Sequence, residues 1–415
     1  MSIIKGFVPE GVEDINSLEF GIKENLTNDI NNLFKSFGYR QILTPTFEYY
    51  DLFNEIEGTI EKEEMFKFID RYGRILVLRP DATIPIARMA LSSYRQNKEA
   101  LKFSYSTSVY RMHGSEDGKK TEFVQSGVEF LGEEGVDADA EVIVMAIKAI
   151  LKCGFKEFKI DIGEASYFKA LLEEMKISKG EVQEIKKYIE AKNFAGLQLY
   201  LEDINIDEEV KKVILSLPML YGSMDRVYDR ASELCLNENM KKALDNLQSI
   251  YEVIREYGFE KYILVDLGLV SHINYYTGVV FKGYVTGYGK EVLGGGRYDN
   301  LTKTYGEYMP STGFGINIDA VYEAMKLNGL FNSIGEKMDF AVLYSMDKRK
   351  DAIKIATLLR DAGYSVDIRR LQGSDNISAG YKETIVIADR IYVKESSEDK
   401  AYESVKQILD SIKSI

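Results

Sequence analysis

An interruption in the hydrophobic pattern constrains this chain more than any other feature. Strand-type alternation runs as far as EFKIDIGE (157–164), stops, and resumes only at YILVDLGL (262–269). From about 165 to 258 the periodic segments, such as EVQEIKKYIEA and MKKALDNLQSIYEVIREYG, repeat at helical spacing. A helix-only block between strand-rich blocks reads as an inserted domain within a larger core.

The strand-rich parts can be read segment by segment. Residues 17–37 carry Leu18, Phe20, Ile22, Leu26, Ile30, Leu33 and Phe34 at helical spacing, with Gly38 as the stop. YRQILTP predicts a strand ended by Pro45. RILVLR (74–79) predicts another, turning through Pro80-Asp81-Ala82-Thr83 into a helix that reaches Met89. KFSYSTSVYRM (102–112) and EFVQSGVEFLG (122–132) form an expected antiparallel pair across the polar loop HGSEDGKKT. A helix is expected at 138–152. Strands are expected at GVVFKGYV (278–285) and STGFGINI (311–318), with LGGGRYD as a glycine-rich turn between them. From about Met338 the order strand, helix 350–362, strand, strand, helix 398–413 suggests a small α/β module.

Composition narrows the function classes. With 415 residues, 45% apolar and 29% charged, the chain has the profile of a globular protein of two or three domains. No apolar run approaches the roughly 20 residues needed to span a bilayer, and MSIIKGFVPEGVEDINS lacks the order of a secretory signal. Cys153 and Cys235 lie far apart without metal-ligand spacing, which predicts two buried, reduced thiols and a cytoplasmic location. The formal charge of −13 argues against nucleic acid, whose binders gain affinity from Lys and Arg on phosphates.

Three groups of motifs carry chemistry. They are FGYRQILTP (37–45); VLRPDATIPIARM (77–89) with VYRMHGSEDGKKTEFVQSGVEFLG (109–132); and NYYTGVVFKGY (274–284) with LGGGRYDNL (293–301) and GFGINIDAV (313–321). Within the second group Gln125, Gly127 and Glu129 alternate, so they share one strand face, with glycine leaving room between two polar groups. In this order and spacing, over about residues 1–325, the motifs resemble class II aminoacyl-tRNA synthetases. The resemblance is to the histidyl-tRNA synthetase family and its non-catalytic relatives, the regulatory subunits of short-form ATP phosphoribosyltransferase.

The resemblance implies an α+β fold: a class II antiparallel sheet flanked by helices, covering 1–325 with the insertion at about 165–258. The tail, 336–415, would be a truncated anticodon-binding-like α/β domain, because about 13 residues between Arg370 and Thr384 hardly hold a helix and its loops. It also implies a histidine pocket. Asp81 and Thr83, with Gln125, would hold the ammonium; Glu129 and Tyr275 would meet the imidazole. Tyr276 and Tyr298 would complete the wall, and Arg111 would face the carboxylate. Ser271 and His272 are weaker candidates.

Departures from the synthetase pattern bear on activity. The family's Gly-Leu-Glu-Arg is here Asn317-Ile318-Asp319-Ala320, so an arginine becomes Ala320. Val-Arg-Gly-Leu-Asp-Tyr-Tyr is here Val270-Ser271-His272-Ile273-Asn274-Tyr275-Tyr276, so a second becomes Ser271, and His113 replaces an expected glutamate. Losing one transition-state donor typically costs about 10²–10³ in rate, so adenylation should be nearly abolished. No catalytic residue, metal or cofactor is expected. The implied role is a regulatory subunit that activates a separate short-form catalytic chain and senses L-histidine as feedback effector, as a homodimer inside a hetero-oligomer. The alternatives are a divergent histidyl-tRNA synthetase or a synthetase paralogue acting as a binding module.

Overall fold

The computed structural model describes residues 8–54, 60–94, 99–112, 120–175, 177–270, 275–331, 338–371, 380–394, 399–402 and 407–408. The chain divides into two compact units, Met1–Leu330 and Phe331–Ile415.

In the first unit, α1 (Ser17–Ser36) starts where the Asn16 side chain accepts the Glu19 amide at 3.0 Å. It ends before Gly38, whose φ of +86° suits glycine. β1 (Arg40–Gln41) is far shorter than the alternation of YRQILTP suggests. The physical reason is Arg79: its guanidinium takes the Thr44 and Pro45 carbonyls at 2.7 and 3.1 Å, so they are not free for a sheet. A small antiparallel sheet follows, made of β2 (Phe47–Tyr49), then, after α2 (Asp51–Asn54), β3 (Lys67–Ile69) and β4 (Ile75–Leu78). α3 (Thr83–Ser93) leads on to β5 (Leu101–Tyr110), β6 (Glu122–Leu131), α4 (Val136–Lys152) and β7 (Phe158–Glu164).

The helical block leaves directly from the end of β7. It contains α5 (Ala165–Glu173), α6 (Lys179–Glu190), α7 (Phe194–Glu202) and α8 (Glu208–Ser216), then β8 (Tyr221–Gly222), α9 (Met224–Ser232) and α10 (Glu238–Glu256). The chain returns through β9 (Ile263–Asp266), parallel to β7, and completes the unit with β10 (Val279–Val285), β11 (Glu291–Arg297), β12 (Ser311–Asn317) and α11 (Ile318–Leu327). Among the described residues these strands form one nine-stranded sheet, β1-β5-β6-β12-β11-β10-β7-β9-β8, antiparallel except at β1·β5 and β7·β9. The α4 sequence VDADAEVIVMAIKAILK is apolar nearly all round, and Val142 to Ile147 are all buried, as expected of a helix packed between α1 and α10.

The glycine-rich segment is not a turn. Gly294, Gly295 and Gly296 lie inside β11, paired to β10 on one side and β12 on the other. Crowding explains the composition: a Cβ on Gly295 would stand 2.5 Å from the Cβ of Phe314. A run of glycines thus marks close approach of packed strands, not reversal of the chain.

The second unit has β13 (Met338–Tyr344), α12 (Arg349–Asp361), β14 (Val366–Arg370), β15 (Tyr381–Ile387), β16 (Ile391–Lys394) and β17 (Asp399–Tyr402). They form a sheet ordered β14-β13-β15-β16-β17. Residues 399–402 therefore start as strand, against the expected helix from 398, because Ile391–Lys394 offers an antiparallel partner. No helix of the described residues is long and apolar enough to cross a membrane. Cys153 is buried as expected, but Cys235 is half-buried: it follows the end of α9, where its thiol donates to the Ala231 carbonyl at 3.3 Å.

Candidate functional site

The sheet face opposite α4 is floored by glycine. Residues directly opposite in antiparallel strands share a face, so Gly127 on β6, Gly315 on β12 and Gly294 on β11 form one row. Glu129, Gly313 and Gly296 form the next. The absent side chains make room for two polar ones. A Cβ on Gly313 would sit 2.2 Å from Glu129 Oε2, and one on Gly315 would sit 2.5 Å from Gln125 Nε2. Glycine at these positions lets Glu129 and Gln125 lie across the neighbouring strand.

Above this floor stands a cavity of about 860 Å³, lined by Asp81, Thr83, Arg111, Gln125, Glu129, Tyr275, Tyr276 and Tyr298 together. Glu129 is 1% exposed. The Thr83 hydroxyl donates to its Oε1 at 2.5 Å, and the Tyr298 hydroxyl donates to its Oε2. Tyr275 stacks on Tyr298, centroids 5.3 Å apart and planes 13° from parallel, and meets Tyr276 edge-on at 5.0 Å. Asp81 accepts the Ile84 amide at 2.9 Å in the first turn of α3. Arg111 is held beside it, its Nε donating to the Pro80 carbonyl at 2.8 Å.

Burial governs the ionisation here. It pushes the Glu129 carboxyl up to about 8; the nearby Asp81 charge acts in the same direction, while the two hydroxyl donors oppose it. Burial also raises Asp81, with Arg111 pulling the other way. The empty pocket therefore keeps a proton on Glu129 at neutral pH.

Sequence reasoning missed Tyr105. Buried on β5 directly opposite Gly127, it donates its hydroxyl to Gln125 Oε1 at 3.2 Å and lies in the same cavity. The signal was present in the strand pairing, since a glycine opposite an aromatic residue leaves space that the ring fills. Ser271, His272 and His113 lie outside the described residues.

The arginine of GGGRYD serves the fold. Arg297 is 8% exposed, and its Nε donates to both Asp139 carboxylate oxygens at 3.1 and 2.9 Å. Its Nη1 reaches Asp299 at 3.1 Å, and Asp299 accepts the Thr277 hydroxyl at 3.0 Å and the Ser311 amide at 2.9 Å. YYTG and GGGRYD are thus tied to each other and to the start of α4.

At the far end of the cavity Ala320 lies in the first turn of α11. Its neighbour Asp319 accepts Lys23 Nζ and the Val124 amide, each at 2.8 Å. Among the described lining residues Arg111 is the one arginine. Of the lysines there, Lys282 pairs with Glu291 at 2.9 Å and Lys120 with Asp319 at 3.3 Å. Two of three lining ammonium groups therefore already have carboxylate partners, a poor arrangement for gripping a triphosphate.

Known proteins share both sequence and architecture with this chain. A family model described as histidyl-tRNA synthetase matches residues 11–321. The ATP phosphoribosyltransferase regulatory subunit of Acetivibrio thermocellus is 41% identical over 88% of this chain and 87% of its own length. That of Ruminiclostridium cellulolyticum is 35% identical over 99% and 97%. A solved structure described as an ATP phosphoribosyltransferase regulatory subunit/histidyl-tRNA synthetase from Bacillus halodurans superimposes with a TM-score of 0.83 at 33% identity, covering 93% of this chain and 99% of that one. The histidyl-tRNA synthetase of Nostoc sp. shares the fold, with a TM-score of 0.81 at 19% identity over 99% of this chain and all of that one. On the synthetase-type framework set out above, this chain belongs to the family of ATP phosphoribosyltransferase regulatory subunits.

Proposed function

We propose that the cavity binds L-histidine and that its occupancy sets the activity of a separate catalytic chain. Membership of the family makes this a non-catalytic regulatory subunit in histidine biosynthesis. One observation carries the histidine reading: a buried carboxyl, Glu129, held by Thr83 and Tyr298 on a glycine floor, with Tyr275 stacked alongside. The imidazole can share the Glu129 proton there, with a phenol wall beside it. Asp81 and Gln125 serve the ammonium, and Arg111 serves the carboxylate. The partner is a short-form ATP phosphoribosyltransferase catalytic chain, and this subunit works as a homodimer within the mixed oligomer.

Reconstitution tests the role. Adding this protein to the purified short catalytic chain should raise its phosphoribosyl transfer, and histidine should then lower it. An excess that leaves the short chain unchanged defeats the reading, and histidine-dependent pyrophosphate exchange by this protein alone would favour an active synthetase instead.

Affinity should also have a pH plateau. The complex shares one proton between the Glu129 carboxyl and the imidazole. Free Glu129 holds a proton up to about pH 8, and free imidazole takes one up below about 6.5. Between these values no net proton moves on binding. Below the window histidine must shed a proton, and above it the protein must regain one, so affinity should fall by up to about tenfold per unit on either side. Calorimetric titrations at pH 5.5, 7 and 9 check this; affinity still rising from 7 to 9 contradicts it.

A further inference from the structure

A regulatory pocket needs a route by which occupancy reaches the rest of the molecule. The turn that carries Tyr275 and Tyr276 is gripped from outside the pocket. Lys169, one turn into α5, donates its Nζ to the Tyr276 carbonyl at 2.5 Å. α5 opens the helical block, and its first amide, that of Ala165, is bonded to the Gly278 carbonyl at 2.9 Å, just beyond the same turn. The block therefore holds this segment at two points, one of them a cation on a neutral carbonyl. A charge-assisted bond of that kind is roughly twice as strong as a neutral one.

The side of the turn facing the pocket is equally constrained. The Tyr276 ring lies against Gly296, where a Cβ would stand 2.8 Å from it. Tyr275 stacks on Tyr298, whose hydroxyl is on Glu129. A ligand that rearranges the hydrogen bonds of Glu129 acts directly on Tyr298 and, through the ring stack, on Tyr275, the neighbour of the residue whose carbonyl Lys169 holds. Lys169 is half-buried, with Glu164 of its own helix start and Lys186 of α6 as its charged neighbours. Burial lowers its basicity, so the carbonyl bond is one of few compensations for keeping that charge out of water.

We propose that Lys169 is a positioning residue that couples the histidine pocket to the helical block, by clamping the Tyr275–Tyr276 turn to α5. This rests on the histidine reading and adds the direction in which the signal leaves. Coupling of this kind typically changes affinity by about 5–150-fold, and reciprocity requires the block to respond when the pocket fills.

The test combines histidine titration with amide hydrogen exchange on the full-length protein, comparing wild type with Lys169→Met and Lys169→Arg. In wild type, histidine should slow exchange in α5 and α6 as well as in β6 and α3. Lys169→Met keeps the aliphatic stem and loses the cation; it should bind histidine about 5–50-fold more weakly. At saturating histidine it should keep the response of β6 and α3 and lose that of α5 and α6. Lys169→Arg should restore both affinity and response, which a merely destabilised variant would not do; it also serves as the informative variant if Lys169→Met unfolds, and a loss of response in Lys169→Arg then counts against the clamp. A Lys169→Met protein with wild-type affinity and an unchanged α5–α6 response overturns the coupling alone. A wild type that binds no histidine overturns the pocket reading and the coupling with it.

Discussion

Replacing Glu129 with glutamine lowers histidine affinity by roughly 30-fold to several thousand-fold. This corresponds to the about 2–5 kcal/mol lost when one partner of a buried charged hydrogen bond is removed. The amide preserves shape: its oxygen still accepts one of the Thr83 and Tyr298 hydroxyls, while its NH2 donates to the oxygen of the other, so the pocket keeps its form but can no longer give or take the imidazole proton. The same variant has a second signature in stability. In the wild type the folded carboxyl ionises at about 8 against an ordinary value of 4.5. The contribution of this carboxyl to the stability of the empty protein is thus full below about pH 4.5 and is lost as pH rises to about 8, because the unfolded chain ionises first. Glu129→Gln removes that slope. Denaturant melts at pH 5 and pH 8 measure it, and calorimetry measures the affinity. A glutamine variant that titrates like wild type would show that histidine, if bound, does not use Glu129.

Asp139→Ala should destabilise the first unit by up to about 3–5 kcal/mol, since it takes from a buried guanidinium its nearest carboxylate and leaves it Asp299 at 3.1 Å as its ionic partner. Asp139 is 2% exposed and accepts Arg297 through both oxygens. The expected fall in thermal midpoint is roughly 6–15 °C. Removing both charges, as in Asp139→Leu with Arg297→Met, should cost less than Asp139→Ala alone, because no buried guanidinium is left without Asp139 and Asp299 keeps its Thr277 and Ser311 donors. The loss should reach the pocket as well. Arg297 also fixes Asp299, which holds Thr277 and Ser311, so the turn carrying the paired tyrosines loosens with it. Thermal melts of the single and double variants decide the matter; a single variant that melts within about 2 °C of wild type refutes the claim.

Much of this was legible before any coordinates. The helix at 17–36, the long pair at 101–110 and 122–131, and the helix-only block all follow from spacing, because burial of one face imposes a period on neighbouring residues. The eight principal pocket candidates could be named from motif order, and they line one cavity. Local pattern misled where a residue's role depends on a distant partner. The glycines of β11 look like a turn until Phe314 is seen packed against them. The strand of YRQILTP looks long until Arg79 takes its carbonyls.

From the sequence alone came the family, the alternation of Gln125, Gly127 and Glu129, and the replacement of a synthetase arginine by Ala320. These are properties of residue identity and short spacing, which the linear chain carries in full. Tertiary structure alone decided that Arg297 is spent on Asp139, that Tyr105 steadies Gln125, that Lys169 grips the tyrosine turn, and that Glu129 keeps its proton at neutral pH. Tyr298 and Glu129 stand 169 positions apart, and Arg297 and Asp139 stand 158 apart. Acidity and partnership arise from desolvation and contact, and both exist only once such distant segments are brought together.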